Sequence, residues 1–208
     1  NFDYSIINWL PFYWKGFKQS TRYTYVVEDL EDLDSVYSGF DRKKREKIRK
    51  AEGNVEVKIS TDIELFFKIN QMTFQRQGLE VPYSLPFLKR LDGECAKRDC
   101  RRILLATDKH NRIHSALYLV WDEQSAYLLM SGTDPEFKNS ESNTLLTWEA
   151  MKIAENRVKK FDFEGSMMEN VEEFFRGFGA VQRPYFSISK TNSRLFGILF
   201  SARKLIKR

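Results

Sequence analysis

Apolar residues along the chain recur with two different periods, and the change falls near Arg101. Before it, Thr61-x-x-Glu64 has the pattern of a capping box, a hydroxyl accepting the amide of the third helical position while the carboxylate reaches back. It opens a helix carrying Phe66, Ile69 and Phe74 that stops at Gly78. Ser84 caps a second helix with Leu85, Leu88, Leu91 and Cys95 on one stripe. After Arg101 the period predicts strands over Ile103 to Thr107, Ile113 to Trp121 and Ala126 to Ser131, and the short polar turns between them make an antiparallel meander. A polar loop from Gly132 to Ser142 leads into a helix from about Asn143 to Val158. A short strand at Phe161 to Glu164, a short helix at Val171 to Phe178, a strand at Gln182 to Ser189 and a last helix at Ser193 to Lys207 complete the pattern. This order predicts an α+β fold, a mostly antiparallel central sheet flanked by helices, with the later strands joined by helical crossovers.

The first 25 residues depart from the pattern. Phe2, Tyr4, Trp9, Phe12, Tyr13 and Trp14 make the segment too apolar for a free tail. We expect residues 1–25 to be the end of a preceding domain or an N-terminal extension, and 26–208 to form one domain. The chain begins at Asn1 without a methionine, the start expected of a piece of something longer.

Composition narrows the class. With 208 residues and 42% hydrophobic content there is material for one sizeable core. No apolar run approaches the ~18 residues that cross a bilayer. Cys95 and Cys100 are too few for a disulfide framework or a zinc site, and His110 and His114 complete no cluster, so no metal is expected and a reducing, cytoplasmic compartment fits best. The net charge of +5 is modest, but it is unevenly placed. Arg42 to Ala51 is a strongly basic helix, read either as a solvated face or as a surface for an anionic partner. The last helix, with Arg203, Lys204, Lys207 and Arg208, is suited to docking on the core, to an anionic membrane surface or to tRNA phosphate.

Three segments carry a family resemblance. Arg45-Glu46-Lys47-Ile48-Arg49-Lys50-Ala51 resembles the basic helix of the FemAB-like, or methicillin-resistance-type, acyltransferases. Phe161-Asp162-Phe163-Glu164-Gly165-Ser166 resembles their aromatic and acidic strand, and Val171 to Ala180 is similar to the aromatic segment with one basic residue that follows. The resemblance spans roughly Val26 to Lys190. It implies a GNAT-like domain moving an acyl or aminoacyl group from acyl-coenzyme A or aminoacyl-tRNA to an amine of an anionic cell-envelope precursor. Neither donor is a tightly bound cofactor. It further implies a missing N-terminal domain, a place in the cytoplasm or at the inner membrane face, and contact with tRNA or the membrane surface.

Amide formation needs a neutral amine, a place for the oxyanion and a grip on the donor. On an extended strand Asp162 and Glu164 share a face turned away from Phe161 and Phe163, where a carboxylate would take the proton of an attacking ammonium. The resemblance assigns Arg176 to the active site, where its fixed charge would stabilise the acyl oxygen. The stretch ahead of the post-meander helix lacks glycine, but Lys138, Ser140, Asn143 and Thr144 suit a donor phosphate at a helix N-terminus. Arg45, Arg49, Arg76 and Tyr118 complete the expected site as acceptor contacts. His114 reads as a sheet histidine. The alternative is a non-catalytic GNAT-like module that binds tRNA or anionic lipid.

Overall fold

The computed structural model describes residues 9–165 and 167–193, so the expected last helix lies, apart from Ser193, outside the described residues. The chain divides into two compact units, residues 1–23 with 183–208 and residues 24–182.

Within the first unit, a helix α1 (Trp9–Trp14) ends in a turn that brings Phe12 and Phe17 edge to face at 5.5 Å. Lys190 places its ammonium 5.4 Å from the Phe17 ring. Leu10, Tyr13 and Trp14 of α1 are exposed. The strand β1 (Lys18–Val27) starts in this unit and ends in the second, and β7 (Val181–Ser189) lies next to it in the sheet.

The second unit follows the predicted order with two strands added that the pattern did not predict, one over Glu56–Ser60 and the end of β1. The helices are α2 (Leu33–Ser38), α3 (Arg42–Glu52), α4 (Ile63–Arg76), α5 (Leu85–Lys97), α6 (Ser142–Glu155) and α7 (Glu169–Arg176); the strands are β2 (Glu56–Ser60), β3 (Arg101–Thr107), β4 (Ile113–Trp121), β5 (Ser125–Thr133) and β6 (Lys160–Asp162). The sheet order is β2-β3-β4-β5-β6-β1-β7. The meander β3 to β5 is antiparallel, β2 pairs antiparallel with β3 after two intervening helices, and β6 joins β5 in parallel after the α6 crossover. The fold is thus the mixed helix and sheet arrangement, mostly antiparallel, that the element order predicts.

Strands β3 and β4 read as continuous apolar runs because both faces of the sheet are covered. Leu104, Ala106, Leu117 and Leu119 face a core shared with Ile48 of α3 and Leu146, Ala150 and Met151 of α6. Ile103, Leu105, Ala116 and Tyr118 face a second core with Phe66 and Ile69 of α4 and Leu88 of α5. Two expectations need correction. The cap of α4 is Asp62, whose carboxylate accepts from the Leu65 N–H at 2.9 Å, and not Thr61; Glu64 pairs instead with Lys89. The strand expected over Phe161 to Glu164 ends at Asp162, because Glu164 turns into the left-handed region at φ 63°. Ser84 caps α5 as expected. Among the described residues no helix is long and apolar enough to cross a membrane, and no group of His, Cys, Asp or Glu could hold a metal ion.

Candidate active site

Strand β6 is much shorter than its neighbour β5 and is paired with it along its whole length. The two strands pair over Ser125 with Lys160, Ala126 with Phe161 and Tyr127 with Asp162, and there the pairing stops while β5 runs on to Thr133. A bulge at Leu129 shifts the register on the other side of β5, between the Tyr118–Met130 and Leu119–Leu128 pairs, which bends the strand at this place. Beyond the end of β6, side chains of α4 take up polar groups of β5. Asn70 donates to the Ser131 carbonyl at 2.8 Å, and the Thr133 N–H donates to the Thr73 hydroxyl at 2.9 Å. Tyr83 fixes the Asn70 amide by donating to its Oδ1 at 2.7 Å. The sequence reading missed this group; a polar Asn70 inside an apolar helical stripe was its one signal.

Gly132 lets α4 come this close. A Cβ there would lie 2.6 Å from both the Ile69 carbonyl oxygen and the Asn70 Cα, backbone atoms of a packed helix that cannot swing aside. Gly132→Ala should therefore cost about 1 to 3 kcal/mol of stability, as read by urea unfolding. An unchanged unfolding midpoint would contradict the close packing of α4 on β5.

The acidic pair sits where β6 ends. Asp162 accepts from the Thr24 hydroxyl of β1 at 2.5 Å and from the Glu164 N–H at 2.8 Å, so its carboxylate builds the turn that presents Glu164. Burial pushes the Asp162 carboxyl above its ordinary range, against the pull of these two donors. Glu164 is exposed at its surface yet backed by protein, and desolvation, then the charge of Asp162, raise its pKa as well. The two carboxyls interact, but not as alternating positions of one strand.

Arg176 has a different setting. It ends α7, which packs Phe175 on Phe163, the face of β6 opposite to Asp162. Its guanidinium is largely exposed and lies 3.1 Å from Glu172 Oε1, which also accepts from the buried Tyr25 hydroxyl at 2.6 Å. Gln182 donates to that hydroxyl at 2.8 Å, and the Tyr25 carbonyl accepts from the Phe163 N–H at 2.9 Å. Tyr25 thus touches both segments of the candidate site, a role the sequence does not signal.

Of the expected donor residues, Lys138 is exposed on a 3₁₀ turn (Pro135–Ser140), and the Ser140 hydroxyl donates to that of Ser142 at 2.9 Å. Asn143 Oδ1 is buried without a hydrogen-bond partner. Thr144 needs correction: its side chain is buried and its N–H donates to the Glu141 carbonyl at 3.0 Å, so it offers a donor nothing. Two lysines of α3 stand over this segment instead. Lys47 pairs with Glu141 at 3.0 Å, and Lys50 donates to the Asn139 carbonyl at 3.0 Å.

The expected acceptor contacts do not converge. Arg45 donates to the carbonyls of Ser38 and Phe40 and so locks the loop between α2 and α3, and Arg49 is exposed with its Nε on the Arg45 carbonyl at 3.3 Å. Arg76 is exposed in the last turn of α4. Tyr118 is corrected from a contact residue to a core residue: it is fully buried and its hydroxyl donates to Asp92 at 2.9 Å. A cavity of about 410 Å³ is lined by Val27, Asp29, Asp32, Val36, Gly39 and Phe178 among others, and none of the four expected acceptor contacts lines it. His114 is buried, stacked on Phe137 at 4.0 Å, with Nε2 3.4 Å from Asp108.

A family model described as an acetyltransferase (GNAT) domain matches residues 38–176. No curated protein matches the chain. Among solved structures, FemX is similar with a TM-score of 0.73 and 15% identity, over 89% of this chain and 69% of that one. L-PGS from Bacillus licheniformis is similar with a TM-score of 0.57 and 11% identity, over 95% and 69%. A predicted acetyltransferase with acetyl-CoA from Clostridium acetobutylicum gives 0.51 and 13%, over 67% and 92%. At these identities the likeness is one of fold.

Proposed function

The chain belongs to the acetyltransferase (GNAT) domain family, and from that membership we propose that it is an N-acyltransferase of the FemAB-like kind, moving an acyl or aminoacyl group to an amine of an anionic cell-envelope precursor. The observation that carries the reading is the end of β6 at Asp162, beyond which β5 runs on to Thr133, with a pair of carboxyls of raised pKa at that end. A thin thioester or ester arm entering there would lie beside β5. Glu164 takes the proton from the acceptor ammonium, the free amine attacks the acyl carbon, and the tetrahedral intermediate collapses by breaking the bond to the donor sulfur or ester oxygen, which leaves with the proton the new amide nitrogen gives up. Asp162 holds the turn that aims Glu164. Arg176 stands with Glu172 on the other side of β6 and would have to reach round the end of that strand to meet the negative charge that develops on the acyl oxygen.

Both donor classes remain in the reading. The neighbour with acetyl-CoA supports the thioester. FemX and L-PGS support the fold but name no donor for this chain. Lys47, Lys50 and Lys138 are the residues that would meet donor phosphate, the first two after giving up Glu141 and the Asn139 carbonyl. The acceptor would be drawn from amine-bearing precursors at the cytoplasmic membrane face.

The test is product formation. Protein incubated with acyl-coenzyme A, or with aminoacyl-tRNA, and a set of amine-bearing envelope precursors is expected to give an amide with one donor, detected by mass. Binding of a donor without any amide would return the chain to the non-catalytic alternative, a module that binds tRNA or anionic lipid.

A further inference from the structure

Helix α3 presents Lys44, Lys47 and Lys50 at intervals of three residues, and the last two grip the segment ahead of α6. Lys44 is placed differently. It is 8% exposed, and its Nζ lies 3.6 Å from the centroid of the Phe174 ring on α7 and 4.8 Å from that of Phe178 just beyond. Its stem fills the space left by Gly177, where a Cβ would come within 2.7 Å of Lys44 Cε. The Asp41 N–H donates to the Gly177 carbonyl at 2.9 Å and closes the same seam between α3 and α7. Among the described residues the Lys44 ammonium makes no ion pair or hydrogen bond.

A buried ammonium without a carboxylate in ion-pair or hydrogen-bond contact lowers stability, and an apolar side chain of similar length would fill the space at less cost. Ring faces return part of that cost. A lysine at this place is therefore better explained by an amine that can change its charge than by its volume.

We propose that Lys44 is a positioning residue for acyl transfer, whose protonation state sets how closely α7, and with it Glu172 and Arg176, docks on α3 and on the donor segment that α3 holds. This rests on the role given to Arg176 above. The charged groups around it are Lys47 on α3, Asp41 at its start, Glu141 ahead of α6 and Glu173 on α7. Burial, then the charge of Lys47, lower its pKa to about 7, while the three carboxylates pull the other way. The amine of the unfolded chain titrates at the ordinary lysine value. The fold therefore binds fewer protons than the unfolded chain above pH 7, and stability rises with pH from there. Neutral, the side chain packs between the two rings; protonated, it draws in water or lifts α7.

Hydrogen exchange on α7 tests this without any substrate. After correction for intrinsic rates, protection of α7 amides should rise about tenfold between pH 6 and pH 8. Lys44→Met should hold it at the high level at both, and Lys44→Arg at the low level. With the substrates of the amide assay, kcat should show a step near pH 7 that Lys44→Met lacks, with KM for the donor unchanged. Flat protection in the parent protein, or an equal step in Lys44→Met, would overturn the proposal. A step in exchange with none in kcat would overturn its link to catalysis. A chain that makes no amide at all but keeps the exchange step would fault the transferase reading and the link to catalysis that rests on it, while leaving the seam itself intact.

Discussion

Asp92→Ala is expected to lower the unfolding free energy by about 3 to 5 kcal/mol, the usual result of removing one partner of a buried ion pair. Asp92 lies on α5 beneath the sheet, and its carboxylate serves two buried groups. Arg101 of β3 places Nε 2.8 Å from Oδ1, out of hydrogen-bond alignment, and donates from Nη2 to Oδ2 at 3.3 Å. Tyr118 of β4 donates its hydroxyl to the same Oδ1 at 2.9 Å, and burial, then this hydrogen bond and the Asp92 charge, push the phenol pKa far above its ordinary value. With alanine at 92, a guanidinium and a phenol remain buried without an acceptor, and neither can turn to solvent from a strand packed on both faces. Replacing both charged residues, Asp92→Leu with Arg101→Met, should recover most of the loss because no charge is then left unpaired. Urea unfolding read as a shift of midpoint at constant slope decides the matter. A loss under 1 kcal/mol for the single variant would mean that water reaches the pair.

The same carboxylate shows where sequence patterning stops. The helical stripe Leu85, Leu88, Leu91 and Cys95 was legible, and so were Ser84 as a cap and the strand meander, because each is a local rule of period or capping. Asp92 was not, since a polar residue beside a stripe is buried only when a strand from elsewhere brings it a cation. Asn70 and Gly132 are of the same kind: an amide and a missing Cβ have meaning only where α4 crosses β5. The basic helix α3 was legible as charge but not as direction. Its arginines were expected to meet an acceptor, whereas Arg45 is spent on the carbonyls of Ser38 and Phe40, and it is Lys47 and Lys50 that lie over the donor segment. The pairing of Asp162 with Glu164 was expected from strand alternation. The two do interact, but through a turn, because the Asp162 carboxylate accepts the Glu164 N–H and ends the strand two residues early for a parity argument.

That turn leads to the second large effect, Glu164→Gln, which should lower kcat by about a hundredfold or more, the range for loss of a general base, while leaving donor affinity unchanged. The reason it should separate from a structural defect lies in the sign of the linkage. Burial and the neighbouring Asp162 raise the pKa of Glu164 in the fold, so the folded protein holds protons more tightly than the unfolded chain across the window between the ordinary glutamate value and the raised one. Stability therefore falls as pH rises through that window, and at neutral pH the ionised pair opposes folding. Glutamine removes the charge, keeps the shape and relieves Asp162, so the variant should melt no earlier than the parent at pH 7 and should lose part of the parent's decline in stability above the glutamate range. In the parent, kcat should rise with pH through the same raised window as Glu164 ionises. Glutamine in its place should abolish that limb, whereas Asp162→Asn, which keeps the acceptor oxygen of the turn, should move the limb toward lower pH by removing a like charge from beside the base. A Glu164→Gln variant that turned over at the parent rate with the parent pH profile would remove the carboxylate from the mechanism, and the proton of the acceptor amine would then have to leave by way of water alone.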